Sequence, residues 1–420
     1  MPSAATTEVQ VVAGELETTV PKVPVLFDWD DVFYSSIEKG TDVEVISSRD
    51  MRIPLEIEPG GDFGFYDPNG GDMGRGSGPH LDKAVINTVH FKMGVEWTKQ
   101  AEWSTDSPKK AVINYFRHLL AKAMSEFRRH VDSACMTAGT GVLANPSAVT
   151  VAGGTAGGDS WTVPATDGFG VRLLRKNQPV AIYDTTLATK RGEVRINYYD
   201  AANRRVDTTP SIPTAAATDK IVTSGLSAPP VGLFGVPYHH SNASSGTWLG
   251  FNRATTVEIR ANRVNAAGAF ALPFARLAVN KIGDRVGIKQ MGDVVAWTHP
   301  CQKDAYEQTG QLVSIIHKQP TDEKLNMYFD GFQLAGAPME VSYSWDKTRI
   351  DFINRSLWGR AEFHPAGYYT VDGQRIFPVR GSSGGLAAAM IFYLVASFNL
   401  YLGNPAMGSY IDGLTIPSGY

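Results

Sequence analysis

The chain has 420 residues, 43% hydrophobic and 19% charged, with 42 glycines, 24 prolines and a formal net charge of −3. That length suffices for a large core and two or more domains, and the turn-rich composition excludes a disordered chain or a simple helical bundle. The near-neutral balance argues against a basic face that grips nucleic acid, and two cysteines, Cys135 and Cys301, cannot build a disulfide framework, which points to a reducing compartment.

The first stretch, MPSAATTEVQVVAGELETTVPK, has no lysine or arginine before Lys22, so it lacks the basic start of a secretory signal and reads as an extended arm. Two β-like runs follow, MRIPLEI (51–57) and AVINTVHFKMGVEW (84–97). Between them lies GGDFGFYDPNGGDMGRGSG (60–78), in which eight of nineteen residues are glycine. A phosphate loop needs a lysine followed by Ser or Thr and a helix amino terminus behind it; this loop has neither. It reads as the tip of a flexible β finger.

SPKKAVINYFRHLLAKAMSEFRRHVDSACMT (107–137) is the strongest helix signal, capped by Ser107 with Pro108 in the first turn. Val112, Phe116, Leu119, Ala123, Phe127 and Val131 recur at steps of three and four and form one apolar stripe. Phe116, Leu119, Phe127 and Val131 are the expected core of this helix. Lys109, Lys110, Arg117, Lys122, Arg128 and Arg129 fall on the other side, a solvated or intersubunit face, and Gly139 and Gly141 end the helix.

NPSAVTVAGGTAGGDS (145–160) has the small residues of a linker, and an all-β block follows with strands expected over 171–184, 190–200 and 220–225. HHSNASSGTWLGFNRATTVEI (239–259) reads as a polar turn feeding a strand. Residues 272–287 place Phe274, Leu277, Ala278, Ile282 and Val286 on one helical face. A buried strand is expected at 294–300, a short helix at 301–310 stopped by Gly310, and hairpins at 339–354 (about WDKT) and 368–380 (about Asp372-Gly373). In LAAAMIFYLVASFNLYL (386–402), Phe392, Leu394, Ala396, Phe398, Leu400 and Leu402 take every second position, which predicts a buried strand; seventeen residues are also short for a membrane helix.

Three motifs invite a chemical reading. GSSGG (381–385) matches a nucleophile elbow centred on Ser383, but no histidine follows His364 and the next segment is a strand. His299 and Cys301 share one HPC tripeptide, where a packed cysteine and a helix-entry histidine are expected instead of a catalytic pair. His239-His240 has no second ligand pair at metal-binding spacing, so a turn or interface role is expected. No catalytic, cofactor-binding or metal-ligating residue is assigned.

The order arm, glycine-rich finger, long helix, β insertion, mixed domain resembles the tailed-bacteriophage major capsid proteins with the Hong Kong 97 type of fold. TWLGFNRATTVEI (247–259), WTHPCQKDAYEQTG (297–310) and FYLVASFNLYLGNPAMGSYIDGL (392–414) carry the resemblance. It implies an α+β fold with an N-terminal arm (1–45), an E-loop finger (46–103), a spine helix and peripheral linker (104–167), a β-rich insertion (168–225), a β return segment (226–268) and an axial domain with closing peripheral strands (269–420). The implied function is a non-enzymatic shell subunit that assembles with itself into hexameric and pentameric capsomers in the bacterial cytoplasm. The shell encloses genomic double-stranded DNA without binding it specifically, and the implied partners are a scaffolding protein, a portal and a decoration protein, with no membrane and no cofactor. Phe63, Phe65, Tyr66 and Arg75 would be the E-loop tip that lies on a neighbouring subunit. Residues 1–25 leave no room for a charged helical scaffold segment, so a separate scaffold is expected. An encapsulin-like nanocompartment shell is the alternative, and a hydrolase built on Ser383 or Cys301 is a further one.

Overall fold

The computed structural model describes residues 32–40, 44–45, 50–58, 60–61, 63–65, 75–104, 115–287, 294–317, 333–381 and 385–420. They form a mixed α/β protein with helices and several sheets. The chain divides into two compact units, one from 1–36, 89–132 and 362–398, the other from 37–88, 133–361 and 399–420.

In the first unit the organising element is the strand Leu386–Leu402 that the period-two alternation predicts. Its residues 389–398 pair antiparallel with Val89–Thr98, and Phe377–Arg380 pairs with its start. Phe392, Leu394, Ala396 and Phe398 are all buried, and the Phe398 ring lies 5.6 Å from Tyr34 and 5.3 Å from Phe91. The Asp372-Gly373 turn is present, with φ of 49° and 78° and a Val371–Gln374 bridge. The strands around it do not pair with each other, however: Trp358–Tyr368 and Phe377–Arg380 are both neighbours of the long strand.

The long helix spans Tyr115–Cys135, 21 residues, or about 32 Å at 1.5 Å per residue. Ser107, Pro108, Lys109, Lys110 and Val112 lie outside the described residues, as does the Phe116 side chain. Ala123, Phe127 and Val131 are buried and Leu119 is half-buried, while Arg128 is exposed. Arg129 departs from the expected solvated face: it is 2% exposed and bonds Glu126 at 3.2 Å. The carboxyl end of the helix is covered all round, since Asp132, Ser133, Ala134 and Cys135 are buried too. A stripe argument assumes one wet side, and this end has none.

The second unit holds two large sheets beside two smaller ones. The first has seven antiparallel strands in the order Val142–Ala144, Lys220–Thr223, Pro179–Tyr183, Lys190–Asp200, Arg205–Thr209, Asp159–Thr162, Ala148–Thr150. Ala148–Thr150 falls within 145–160, expected as a linker, and Asp159–Thr162 begins there, whereas 171–178, expected as strand, contain turns and no strand. The second sheet has six strands in the order Asn262–Gly268, Ser409–Leu414, Ile350–Asn354, Val294–Thr298, Ala337–Val341, Gln333–Leu334. Every residue of Val294–Thr298 is buried, as expected of a short apolar strand. The 339–354 segment is not a hairpin: Ala337–Val341 lies parallel to one edge of Val294–Thr298 and Ile350–Asn354 antiparallel to the other. A strand buried on both faces offers two edges, and both are used.

Helix Leu272–Val286 packs against this sheet through Ala275, Ala278 and Ile282, with Leu277 left 46% exposed, so the buried stripe is rotated from the expected one. The helix expected to stop at Gly310 runs from Pro300 to His317. One interior glycine costs about 1 kcal/mol against alanine and does not terminate a helix that gains elsewhere. Among the described residues no helix is long and apolar enough to cross a membrane.

Candidate functional site

The finger pairs Asp50–Glu58 with His80–Asn87, in register from Asp50–Asn87 to Glu56–Leu81 and shifted by a bulge before Glu58–His80. Glu44–Val45 adds a short third strand beside Asp50–Glu58 at the root. Period-two alternation puts Met51, Ile53, Ala84 and Ile86 on one face, and all four are buried in a cluster with Phe234, Trp248, Leu249, Phe251, Ile259 and Ala361. A short hairpin supplies the centre of that cluster: Thr247–Trp248 pairs with Phe251–Asn252 across Leu249-Gly250. Both turn residues have positive φ, 47° and 97°, the geometry in which a two-residue hairpin matches strand twist. The Leu249 carbonyl accepts the Val85 amide at 2.9 Å, which ties the hairpin to the finger.

Outward from this root the cover thins. Leu55 and Ile57 on the same face are half-buried against the cluster, and Leu81 on the opposite face is 66% exposed. Phe63 and Phe65 in the tip are 95% and 101% exposed. The two phenylalanine rings lie 6.2 Å apart edge to face and touch no other described ring. Gly61 and Ser77 close the base of the tip through a 2.7 Å backbone bond. Arg75 is exposed, and Tyr66 lies outside the described residues. Of the four residues assigned to the tip, Phe63, Phe65 and Arg75 are therefore in solvent; Phe127 and Val131 of the helix are in a core.

His239 and His240 are not in a turn surface or interface, as the sequence suggested; both are fully buried at the end of the helical turn Val236–His239. The Trp248 indole donates to His239 Nδ1 at 3.0 Å, so the His239 Nε2–H is the donor to the Leu400 carbonyl at 3.2 Å. His240 donates through Nδ1 to Asp351 at 3.1 Å, and its Nε2 has no partner. Asp351 also accepts from Arg349 and from the Trp345 indole. Burial pushes His239 down to about 3 and lowers His240 as well, the latter against the pull of Asp351. Burial opposes ionisation of Asp351, but Arg349 and His240 outweigh it and hold the carboxyl below its ordinary range. The sequence did hold a signal for this hairpin: two aromatics flank Leu-Gly in TWLGFN, a tight-turn spacing read only as strand.

The other candidates do not converge. Cys301 is buried, and burial pushes its thiol up to about 11, so it stays protonated at neutral pH. The His299 ring faces the wrong way for a pair with it: Nδ1 accepts the Cys301 backbone amide at 3.1 Å. Burial, then Arg172 and Lys347, take His299 down to about 3. Ser383 lies outside the described residues. Among the described residues no cluster could hold a metal ion.

No family model and no curated protein matches the chain. Solved structures do. The capsid asymmetric unit of cyanophage A-1(L) superposes with a TM-score of 0.56 at 12% identity, over 94% of this chain and 96% of that one. The capsid of a native GTA particle matches at 0.47 and 11% identity, over 99% and 100% of the two chains. The holo-SrpI encapsulin complex of Synechococcus elongatus PCC 7942 matches at 0.45 and 8% identity, over 98% and 97%. Over nearly its whole length, the chain has the fold of the cyanophage A-1(L) capsid chain.

Proposed function

We propose that the chain is a major capsid protein of a tailed bacteriophage, which self-assembles into an icosahedral head shell around packaged double-stranded DNA. The observation that carries the reading is the finger: its root is built into the subunit's own core, while its tip holds Phe63 and Phe65 in open water. Two exposed aromatics on a ribbon that is marginal by itself have a physical use only when another surface covers them. In a shell the cover is a neighbouring copy, and the fold supports that setting. A formal charge of −3 suits a wall that encloses DNA without gripping it.

On this reading the Hong Kong 97 elements map as arm, E-loop finger, spine helix, β insertion and axial domain, with the boundaries given above, and the protein has no catalytic role. Hexameric and pentameric capsomers, a separate scaffold, a portal and possible decoration belong to the same proposal, as does assembly in the bacterial cytoplasm. The test is negative-stain microscopy of the expressed chain beside a variant lacking residues 60–78. Closed shells or capsomers are expected from the intact chain. The deletion should stay folded by circular dichroism and fail to close. Failure of the intact chain to assemble, alone or with its scaffold, would overturn the reading; particles filled with a protein cargo would turn it towards an encapsulin-type shell.

A further inference from the structure

The finger's anchor and a titratable group meet at one bond. Trp248 fills the cluster under Met51, Ile53, Ala84 and Ile86, and its indole N–H is held by His239 Nδ1 at 3.0 Å. We propose that His239 is a proton-operated release for the finger: a second proton on its ring breaks the Trp248 bond and loosens the root, so that acidification frees the finger to change its seat. The meaning of this for assembly rests on the shell reading; the release itself does not.

The ring nitrogens leave no other outcome. His239 Nε2–H is committed to the Leu400 carbonyl, so an added proton can go only to Nδ1. There it turns an acceptor into a donor pointing at the indole N–H, also a donor. The groups facing His239 offer the new charge little. They are the rings of Tyr238 and Trp358, each 5.2 Å away, the Leu400 and Phe234 carbonyls, neutral His240 and the Arg253 guanidinium, which repels an imidazolium. Asp351 faces His240 and is already bonded to it, to Arg349 and to Trp345. The Arg253 guanidinium itself is held by the Ser241 and Tyr238 carbonyls.

The sign follows from the two states. With the root closed, His239 takes its proton only near pH 3; with the root open and the imidazole in water, it does so near its ordinary value of about 6.5. The closed state is therefore fully favoured above about 6.5, and each pH unit below that shifts the balance about tenfold towards open. Between about pH 6.5 and 4.5 the shift is about a hundredfold.

Hydrogen exchange of the full chain, corrected for the intrinsic pH dependence, reads this directly. Amides of 50–58 and 80–87 should lose about a hundredfold of protection over that range relative to the seven-stranded sheet, whose strands hold no histidine. His239→Gln, which can still accept from Trp248 and donate to Leu400, should abolish that selective loss. Trp248→Phe keeps an aromatic ring but removes the donor, so protection at neutral pH should fall and its further loss on acidification should shrink, because no donor is left to oppose the protonated ring. Selective loss that persists in His239→Gln, equal loss in both sheets, or an undiminished acid-dependent loss in Trp248→Phe would each overturn the proposal. Exchange does not depend on shells: a negative result here leaves the shell reading standing, and an absence of shells by microscopy overturns that reading alone.

Discussion

The two ends of the finger carry the same kind of side chain, on the strands at the root and on the loop between them at the tip, yet they live in different surroundings. At the root Met51, Ile53, Ala84 and Ile86 are at most 8% exposed; farther out on that face Leu55 and Ile57 are half-buried, and Phe63 and Phe65 at the tip are fully in water. Alternation decides which residues share a face of a ribbon, but not whether anything lies on that face. The hairpin at Trp248 covers the root, and no described residue stacks on the two tip rings. The root is thus a folding problem and, on the proposed function, the tip an association problem.

The largest test of that contrast is Trp248→Ala. Removing an indole that is 0% exposed should cost about 3–5 kcal/mol, read from denaturant unfolding. An unchanged midpoint would mean the hairpin is not what holds the root. Gly250→Ala probes the same plug more gently. Nothing lies within 4 Å of a Cβ at that position, so only its φ of 97° opposes the substitution, and a loss of about 1 kcal/mol is expected. Smallest of all in stability is the double change Phe63→Ser with Phe65→Ser, which should leave the unfolding curve where it was. The same variant should lose shell closure under the microscope. A tip variant that unfolds, or one that still assembles, would erase the distinction between the two ends.

Much of the fold was legible because long periodic segments announce themselves. The 386–402 strand, the long helix and the finger strands each repeat their pattern over enough residues to overrule local noise. What misled was partnership between distant parts. WDKT is a good turn, but the strands beside it bind the edges of Val294–Thr298, which local sequence cannot reveal. Gly310 has the residue type of a stop and sits inside a continuing helix; Leu277 has the residue type of a core and faces solvent. The His239-His240 pair reads from sequence as a turn or interface feature, since no second ligand pair stands at metal-binding spacing. Its burial depends on Trp248, Leu400 and Asp351, which are nine or more positions away along the chain.

The six-stranded sheet has a consequence in time. Ser409–Leu414 lies second in that sheet, between Asn262–Gly268 and Ile350–Asn354, although it is the last strand in chain order. Its register with the first of these joins Asn262 to Ser409, residues 147 apart (409 − 262). Contacts of such long range form late, because the chain entropy lost in closing the loop comes before any return from pairing. While a ribosome is still making this protein, the two flanking strands have no one between them. On the shell reading, a nascent copy therefore has no finished body to offer its neighbours, and joining would wait on synthesis.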